Sequence, residues 1–339
     1  MTSRVAPTAK PVAEYHGVTR ENFERDIKPL GQPAILRGLA SGFPLVQYAD
    51  DPSGLLDEIK LASNSVEAMT FRAPIETGGR YFYDDDIKGF NFNRLNMSLA
   101  ALCDILAEAP DDHIYAGGVN IPKHCPDLQA AHKPELIRDD TQVLTSLWLG
   151  NSGRVPAHWD LPQNIAVVIH GQREFTLFPT EQMGNLYVGP IDNTLAGQPC
   201  SLVDFHAPDF EAFPKFKDAM PQAQFARLAP GDAIYIPSLW FHHVENPSGL
   251  GCLMNFWWRD GPEYMFTPNL TLMHALLTLR ELPEDERARW KVMFDEYIFG
   301  GDTENKLSHI PKDSRGILGD MTPERVRQIK QYLGQQLLR

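Results

Sequence analysis

Between Asp112 and Gly261 the sequence consists of short runs rich in β-branched and aromatic residues, separated by turn residues. The runs are "HIYAGGV", "VLTSLWLG", "NIAVVIHG", "REFTLFP", "DAIYIP" and "CLMNFWW", and Gly and Pro punctuate them. Short strands at this spacing are typical of an antiparallel sandwich or jelly roll. The insert "HAPDFEAFPKFKDAMPQ" is too long for a tight turn, and we expect it to cover one edge of the sheet.

The segments on either side of this β-rich stretch favour helices. "VTRENFERDIK" has Thr19 as a candidate N-cap, "NMSLAALCDILAEAP" has leucines at helical spacing, and "PAILRGL" indicates a short buried strand. After Pro262 three more helical patterns follow. The sequence therefore predicts an N-terminal α/β flanking region (1–111), a β core (112–262) and a C-terminal helical region (263–339).

The last helical pattern, "TPERVRQIKQYLGQQLLR", begins with Thr322 as N-cap and Pro at the first helical position. It carries one apolar stripe, which consists of Val326, Ile329, Leu333 and Leu337. Such a stripe packs either on its own domain or on a second copy of the chain. A homodimer and compact packing within one chain are both open at this point.

The net charge and the spacing of the cysteines argue against several kinds of partner and site. The 339 residues carry a net charge of −13, which opposes binding to nucleic acid and anionic membranes by like-charge repulsion. The cysteines form no C-x-x-C pair, so they indicate neither a zinc knuckle nor a redox dithiol. No secretory signal and no run of about 18 apolar residues is visible, so we expect a cytoplasmic protein that binds no membrane.

The stretch "HWDLPQN" places a histidine and an aspartate two residues apart. If this stretch is a strand, His158 and Asp160 point to one face and Trp159 to the other. A further histidine from a downstream strand would complete a two-histidine, one-carboxylate set, which suits non-haem Fe(II) oxygen chemistry. "WFHHVEN" offers His242 and His243, of which only one can face the same way. Pro237 interrupts the strand, so the alternation of side chains cannot show which of the two histidines faces the same way as His158. Both histidines could instead pack against neighbouring aromatic residues.

Several motifs in order, "PAHWDLPQNIAVVIHGQREFTLFP", "LAPGDAIYIPSLWFHHVEN" and "MNFWW", resemble the cupin-type JmjC family of Fe(II)- and 2-oxoglutarate-dependent oxygenases. The resemblance is strong over residues 115–258, and among characterised members it is greatest to an asparaginyl hydroxylase. It implies a mainly β fold with flanking helices, a double-stranded β-helix (cupin or JmjC jelly roll) with an N-terminal α/β layer and a C-terminal helical segment. It also implies dimerisation through C-terminal helices.

The resemblance implies a role for particular residues. The metal ligands would be His158, Asp160 and, as the second of the pair, His243, with His242 facing away. Arg173 stands where the asparaginyl hydroxylase has lysine, and it would hold the far carboxylate of 2-oxoglutarate, since a guanidinium can grip a carboxylate with two hydrogen bonds. Tyr115 would reach the same carboxylate, while Asn164 and Asn255 would line the pocket near Fe(II) and the cosubstrate. Trp257 would lie near the pocket mouth or simply pack in the core.

The match has one local departure. Relatives commonly have threonine or serine immediately before the proline that precedes the first ligand, whereas this chain reads Arg154-Val155-Pro156-Ala157. A hydroxyl contact from this position to the cosubstrate is therefore not carried over. The surface groove that binds the substrate in the asparaginyl hydroxylase is not matched either, so its substrate specificity is not transferred.

The expected activity is hydroxylation of a C–H bond in a protein or peptide side chain or in a small molecule, with 2-oxoglutarate and O2 as cosubstrates. A second hypothesis is a metal-dependent cupin that acts on a small molecule without 2-oxoglutarate, in which case Arg173 has no cosubstrate role. A third is a non-catalytic, metal-bearing scaffold that binds a partner, which the complete ligand set argues against.

Overall fold

The computed structural model describes residues 8–247 and 249–338, with Thr303 described by its backbone alone. The chain divides into two compact units, one ending at Asp260 and one beginning at Gly261. The strands are β1 Lys10–Pro11, β2 Ala13–His16, β3 Ala34–Arg37, β4 Ala68–Ala73, β5 Asn93–Met97, β6 His113–Asn120, β7 Leu144–Gly150, β8 Gly153–Trp159, β9 Gln163–His170, β10 Arg173–Phe178, β11 Gln224–Leu228, β12 Ala233–Ile236, β13 Phe241–Asn246 and β14 Gly251–Trp258.

The α-helices are α1 Arg20–Asn22, α2 Pro52–Ala62, α3 Leu99–Ala107, α4 Ile121–His124, α5 Pro126–Ala131, α6 Phe216–Ala219, α7 Pro268–Thr278, α8 Glu284–Phe294, α9 Thr303–Lys306 and α10 Pro323–Leu337. Caps occur where the sequence predicts them. Thr19 accepts a hydrogen bond from the Asn22 backbone at the start of α1, and Thr322 does the same for Arg325 at the start of α10.

Two sheets form the first unit. The larger has the strand order β2-β3-β12-β9-β14-β7-β6-β4-β5, and the smaller has the order β1-β11-β10-β13-β8. The N-terminal strands β2 to β5 join the edges of the larger sheet, so the flanking region extends the core sheet. The prediction of a mainly β jelly roll with flanking helices is confirmed.

The inner faces of the two sheets enclose one apolar core, and helices cover the outer face of the larger sheet. Val168 on β9, Leu177 on β10 and Leu253 on β14 belong to the core between the sheets. Leu55, Leu102 and Leu128, from α2, α3 and α5, pack with Val167 on the other side of β9. Because both faces of β9 are covered, the strand is a continuous apolar run.

The insert between β10 and β11 covers the outer face of the smaller sheet. Phe205 and Phe216 of this insert pack against Phe178 and lie in one cluster with Trp159 and Phe241. The aromatic residues of the insert pack on the apolar face behind β8, β10 and β13. Its residues Cys200 and Ser201 also bridge the edge strand β8 at His158 and Ala157, so the insert covers an edge as well as a face.

The second unit contains helices α7 to α10. Within it the stripe of α10 is only partly covered, since Val326 and Ile329 are half-buried while Leu333 and Leu337 are exposed. Among the helices of residues 8–247 and 249–338, none is both long and apolar enough to cross a membrane.

Candidate metal centre

The two residues of the H-x-D motif lie together at the end of β8. His158 is on the strand and Asp160 follows directly after its last residue, and ligand atoms from both lie in one cluster. Trp159 points to the opposite face, where its ring makes an edge contact with Phe241 at 5.2 Å. The expected alternation is therefore present, and both polar side chains face the cavity between the two sheets.

The third member of this cluster is His242, and the assignment of the position to His243 is wrong. His242 lies directly opposite His158 in the antiparallel pairing of β13 with β8, and directly paired residues share a face of the sheet. The two imidazole rings lie 4.4 Å apart, and His242 Nε2 is 3.5 Å from Asp160 Oδ2. His243 points to the outer face, where its ring packs on Phe205 at 5.0 Å.

Hydrogen bonds to backbone carbonyls fix the tautomers of both inner histidines. The Nδ1 atom of His158 lies 2.9 Å from the carbonyl oxygen of Pro156, and that of His242 lies 3.0 Å from the carbonyl oxygen of Trp240. A carbonyl oxygen can only accept, so in each neutral ring Nδ1 carries the proton and Nε2 keeps its lone pair. Such a carbonyl contact is the usual support of a metal-ligating histidine.

Burial and neighbouring side chains shift the pKa values of His158 and Asp160. It lowers the pKa of His158 to about 4, and the neighbouring His242 adds to this effect. Burial alone would raise the pKa of Asp160, but contacts with His242 and then His158 outweigh it and lower the pKa. Two imidazole nitrogens and one carboxylate converge here and form the donor set of a non-haem Fe(II) site, so these residues fit the metal.

Arg173 lies in the same cavity, on the first position of β10. Its side chain is only 7% exposed, and its Nη1 atom donates to the carbonyl of Gln172 at 3.2 Å. Of the carboxylates in the described chain, none lies within 4.0 Å of the guanidinium, and burial lowers the pKa of Arg173 to about 10. A buried cation without a counterion is costly, so the site fits a ligand with a carboxylate.

The structure brings the other predicted pocket residues to this cavity. Asn255 on β14 donates to Asn164 on β9 at 2.7 Å, and both amides are buried. Tyr115 on β6 lines the same cavity. Gly150 lies opposite Tyr115, and a Cβ there would collide with the tyrosine backbone, so glycine permits this close approach.

A glycine also makes room for the guanidinium of Arg173. A Cβ added to Gly251 would collide with Nη1 of Arg173 and with the amide of Asn246. Where relatives carry a hydroxyl, the structure has Val155 against the cavity. Arg154 turns away from it, and its Nη1 atom lies 3.2 Å from the carboxylate of Asp204.

A groove of about 700 Å³ leads from His158 and Asp160 to the protein surface. Trp257 and Tyr115 line both the inner cavity and the groove, so they lie where these two spaces meet. The wall also contains Phe71, whose ring stacks on Tyr115 at 5.0 Å, and Phe90, which lies under the guanidinium of Arg94. The groove is therefore an aromatic-walled passage that ends at the candidate metal centre.

A second cluster lies on the outer face of β13, and the sequence analysis did not single it out. Glu245 places Oε1 3.0 Å from Nε2 of His243 and Oε2 2.8 Å from Nε2 of His206. Burial would raise the pKa of Glu245, but these two contacts lower it well below the ordinary range. The spacing of His243 and Glu245 repeats that of His158 and Asp160, which is the signal that could have found this pair.

Comparison with known proteins agrees with the fold and the site. A family model described as a cupin-like domain matches residues 20–264. The chain is 26% identical to the tRNA wybutosine-synthesizing protein 5 of Gallus gallus, over 85% of this chain and 93% of that protein. It is 25% identical to the lysine-specific demethylase JMJ31 of Arabidopsis thaliana, over 74% of this chain and 51% of that protein.

A lysine-specific demethylase 8 of Xenopus tropicalis is 30% identical over 35% of this chain and 26% of that protein. A JmjC domain-containing protein of Dictyostelium discoideum is 33% identical over a similar share of the chain. The family model covers most of the chain, and the matching relatives include JmjC proteins. The chain therefore belongs to the cupin-like domain family of the JmjC type.

Proposed function

We propose that this protein is an Fe(II)- and 2-oxoglutarate-dependent oxygenase that hydroxylates a C–H bond of its substrate. One observation carries the proposal. The ligand atoms of His158, Asp160 and His242 converge in the same cavity that holds the buried guanidinium of Arg173, which has no carboxylate partner among the described residues. Such a cavity suits a divalent metal at one end and a carboxylate at the other, which is the pair of ligands that the family uses.

In this mechanism the protein supplies position and electrostatics. His158, Asp160 and His242 would hold Fe(II), since two histidines and one carboxylate suit non-haem Fe(II) oxygen chemistry. When bound, the metal couples the oxidative decarboxylation of 2-oxoglutarate, to succinate and CO2, to hydroxylation of the substrate. Arg173 and the hydroxyl of Tyr115 would fix the far carboxylate of the cosubstrate, and the hydrogen-bonded Asn164 and Asn255 keep the adjacent wall rigid.

The groove favours a protein or peptide side chain, or a small molecule, over nucleic acid. Of the groove-lining residues that the structure describes, Arg94 is the one lysine or arginine. Its guanidinium already donates to the carbonyls of Thr194 and Leu195. A polynucleotide needs several such groups to neutralise its phosphates, and the chain as a whole carries a net charge of −13. A tRNA nevertheless belongs in the substrate comparison, because relatives from four vertebrates are named for tRNA wybutosine synthesis.

The test is anaerobic addition of Fe(II) and 2-oxoglutarate, followed by air. We expect a metal-to-ligand absorption band before air is admitted and slow formation of succinate afterwards, even without a substrate. A substrate increases the succinate rate, so peptide pools, small molecules and tRNA can be compared in the same assay. Absence of both the band and succinate would contradict the proposal.

The two other hypotheses predict different outcomes of this assay. A cupin that acts without 2-oxoglutarate would turn over a small molecule with no succinate formed. A non-catalytic scaffold would bind metal but consume no O2. The buried guanidinium of Arg173 argues against both, since neither has a use for an unpaired buried cation.

We infer that the second unit mediates self-association. Leu277 of α7 and Phe299 after α8 are more than 70% exposed, as apolar side chains seldom are unless another surface covers them. Together with Leu333 and Leu337 of α10, these side chains give the second unit a large solvent-exposed apolar surface. We expect sedimentation velocity to show a dimer that Leu333→Glu together with Leu337→Glu converts to monomer. A wild-type monomer at micromolar concentration would contradict this inference.

A further inference from the structure

We propose that His206, His243 and Glu245 form a second metal site, which takes a divalent transition metal and, by its donor set, zinc. One ligand atom from each of the three residues lies within 4.8 Å of the others. The site lies on the outer face of β13, whereas His242 points to the inner face. The two sites therefore lie back to back across one strand, and the second does not depend on the function proposed for the first.

The distances among the three side chains suit a shared metal ion. The two Nε2 atoms lie 2.8 and 3.0 Å from different oxygens of one carboxylate. Neighbouring ligands on one ion, with bonds of about 2.0–2.2 Å, lie roughly 3 Å apart, so the two nitrogen–oxygen separations suit a shared ion, and all three ligand atoms lie within 4.8 Å of one another. Two histidines and one glutamate are also the ligand set of many zinc sites, with a fourth position left for water.

The buried carboxylate of Glu245 lacks a lysine or arginine partner in the described part of the chain. The carboxylate of Glu245 is buried, and in the described part of the chain its ion-pair partners are the imidazoles of His206 and His243. Neither lysine nor arginine of that part lies within 4.0 Å of it. A buried carboxylate with no lysine or arginine beside it is unfavourable unless another cation balances its charge. A divalent cation would compensate this charge.

An ion can reach this site from solvent, and a bound ion would link two segments of the fold. His206 belongs to the insert between β10 and β11, and its side chain remains 10% exposed, so an ion can enter from that side. His243 and Glu245 belong to β13. A bound ion would therefore join the insert to the strand that carries His242. The alternative is a hydrogen-bonded trio in which each Nε2–H donates to Glu245, and this alternative predicts no second ion.

The experiment is to count zinc on metal-free protein, by titration against a chromophoric chelator. We expect two zinc ions per wild-type chain, one in His206→Asn, one in His158→Asn and none in the double variant. Glu245→Gln, which keeps the size and hydrogen bonding of the side chain, should also bind one. The control His113→Asn replaces a half-buried histidine outside both clusters, whose Nδ1 atom is hydrogen-bonded to the Ser152 carbonyl, and it should bind two.

A second measurement leaves His206, His243 and Glu245 unchanged. It therefore still tests the proposal if the variants of His206 and Glu245 do not fold. In His158→Asn, the remaining zinc should protect His206 from diethyl pyrocarbonate, as followed by peptide mass spectrometry. One zinc per wild-type chain, two zinc ions on folded His206→Asn, or equal modification of His206 with and without zinc would each overturn the proposal. Because the readout is the number of ions, it is independent of oxygenase activity.

Discussion

We expect His242→Ala to abolish the Fe(II) centre and His243→Ala to retain it. Loss of a hydrogen-bond partner behind a ligand costs about 10- to 100-fold in metal affinity, and loss of a ligand itself should cost more than 100-fold. His242 faces His158 and Asp160, whereas His243 contacts Glu245 and Phe205 on the other side of the strand. The two substitutions remove the same atoms from adjacent, equally buried residues, so each is a matched control for the other.

The measurement is the metal-to-ligand band after anaerobic addition of Fe(II) and 2-oxoglutarate, together with the rate of succinate formation. Far-UV circular dichroism shows whether each variant is folded. His243→Ala leaves Glu245 with one partner fewer and should lower the free energy of unfolding by about 1–3 kcal/mol. Equal loss of the band in the two folded variants would show that His242 is not the specific ligand.

The choice between these two histidines shows where a single sequence stops being informative. Alternation within a strand gives the relative facing of His242 and His243, but not which of them faces His158. That depends on the register in which β13 pairs with β8, and the chain reaches β13 through a turn at Pro237. In this turn Leu239 adopts a left-handed backbone with φ of 67°, and no residue pattern predicted it. The resemblance was therefore used to choose, and the structure corrects that choice.

Most of the strands with apolar runs could be predicted, including β10 of the smaller sheet, whereas β8 and β13 of that sheet carry no such run. β7, β9 and β14 are rich in apolar residues because both of their faces are covered. β8 contains Gly153 and Pro156, and β13 contains two histidines and a glutamate. These strands form because tertiary pairing outweighs weak local preference. The residues proposed to bind the metal lie on or next to these two strands, since ligands replace the apolar residues that mark a strand.

The outer cluster depends on contacts that are even more distant along the chain. His206 lies 39 residues before Glu245, in an insert without regular strand or helix at that point. Its meeting with β13 follows from the aromatic residues around it, which pack on the outer face of the sheet. Spacing could indicate the His243–Glu245 pair, but only the folded insert brings His206 to it.

We expect Arg173→Ala to weaken the binding of 2-oxoglutarate by roughly 10- to 100-fold. A hydrogen bond to a charged group is worth about 1.5–3 kcal/mol, and the described residues place no other lysine or arginine in the inner cavity to replace it. Arg173→Lys should lose less, because it keeps the charge but not the two-pronged geometry. The measurement is the KM for 2-oxoglutarate in succinate formation, with Fe(II) saturating so that metal binding does not limit the rate.

Arg227→Ala is the matched control, because Arg227 lies on the adjacent strand β11, is exposed, and pairs with Glu174 at the surface. It should leave the KM for 2-oxoglutarate unchanged. A KM in Arg173→Ala within twofold of the wild-type value would contradict the role of Arg173 and favour the hypothesis of a cupin that works without this cosubstrate.

Stability offers an independent test of the same residue. Because Arg173 is a buried cation without a counterion, its removal should not lower the melting temperature of the cosubstrate-free protein. In the presence of Fe(II), 2-oxoglutarate at 100 times its dissociation constant should stabilise the wild type by about 2.7 kcal/mol, and the variant by far less at the same concentration. A guanidinium that served only to hold the fold together would give the opposite result, a loss of stability without cosubstrate and an undiminished gain with it.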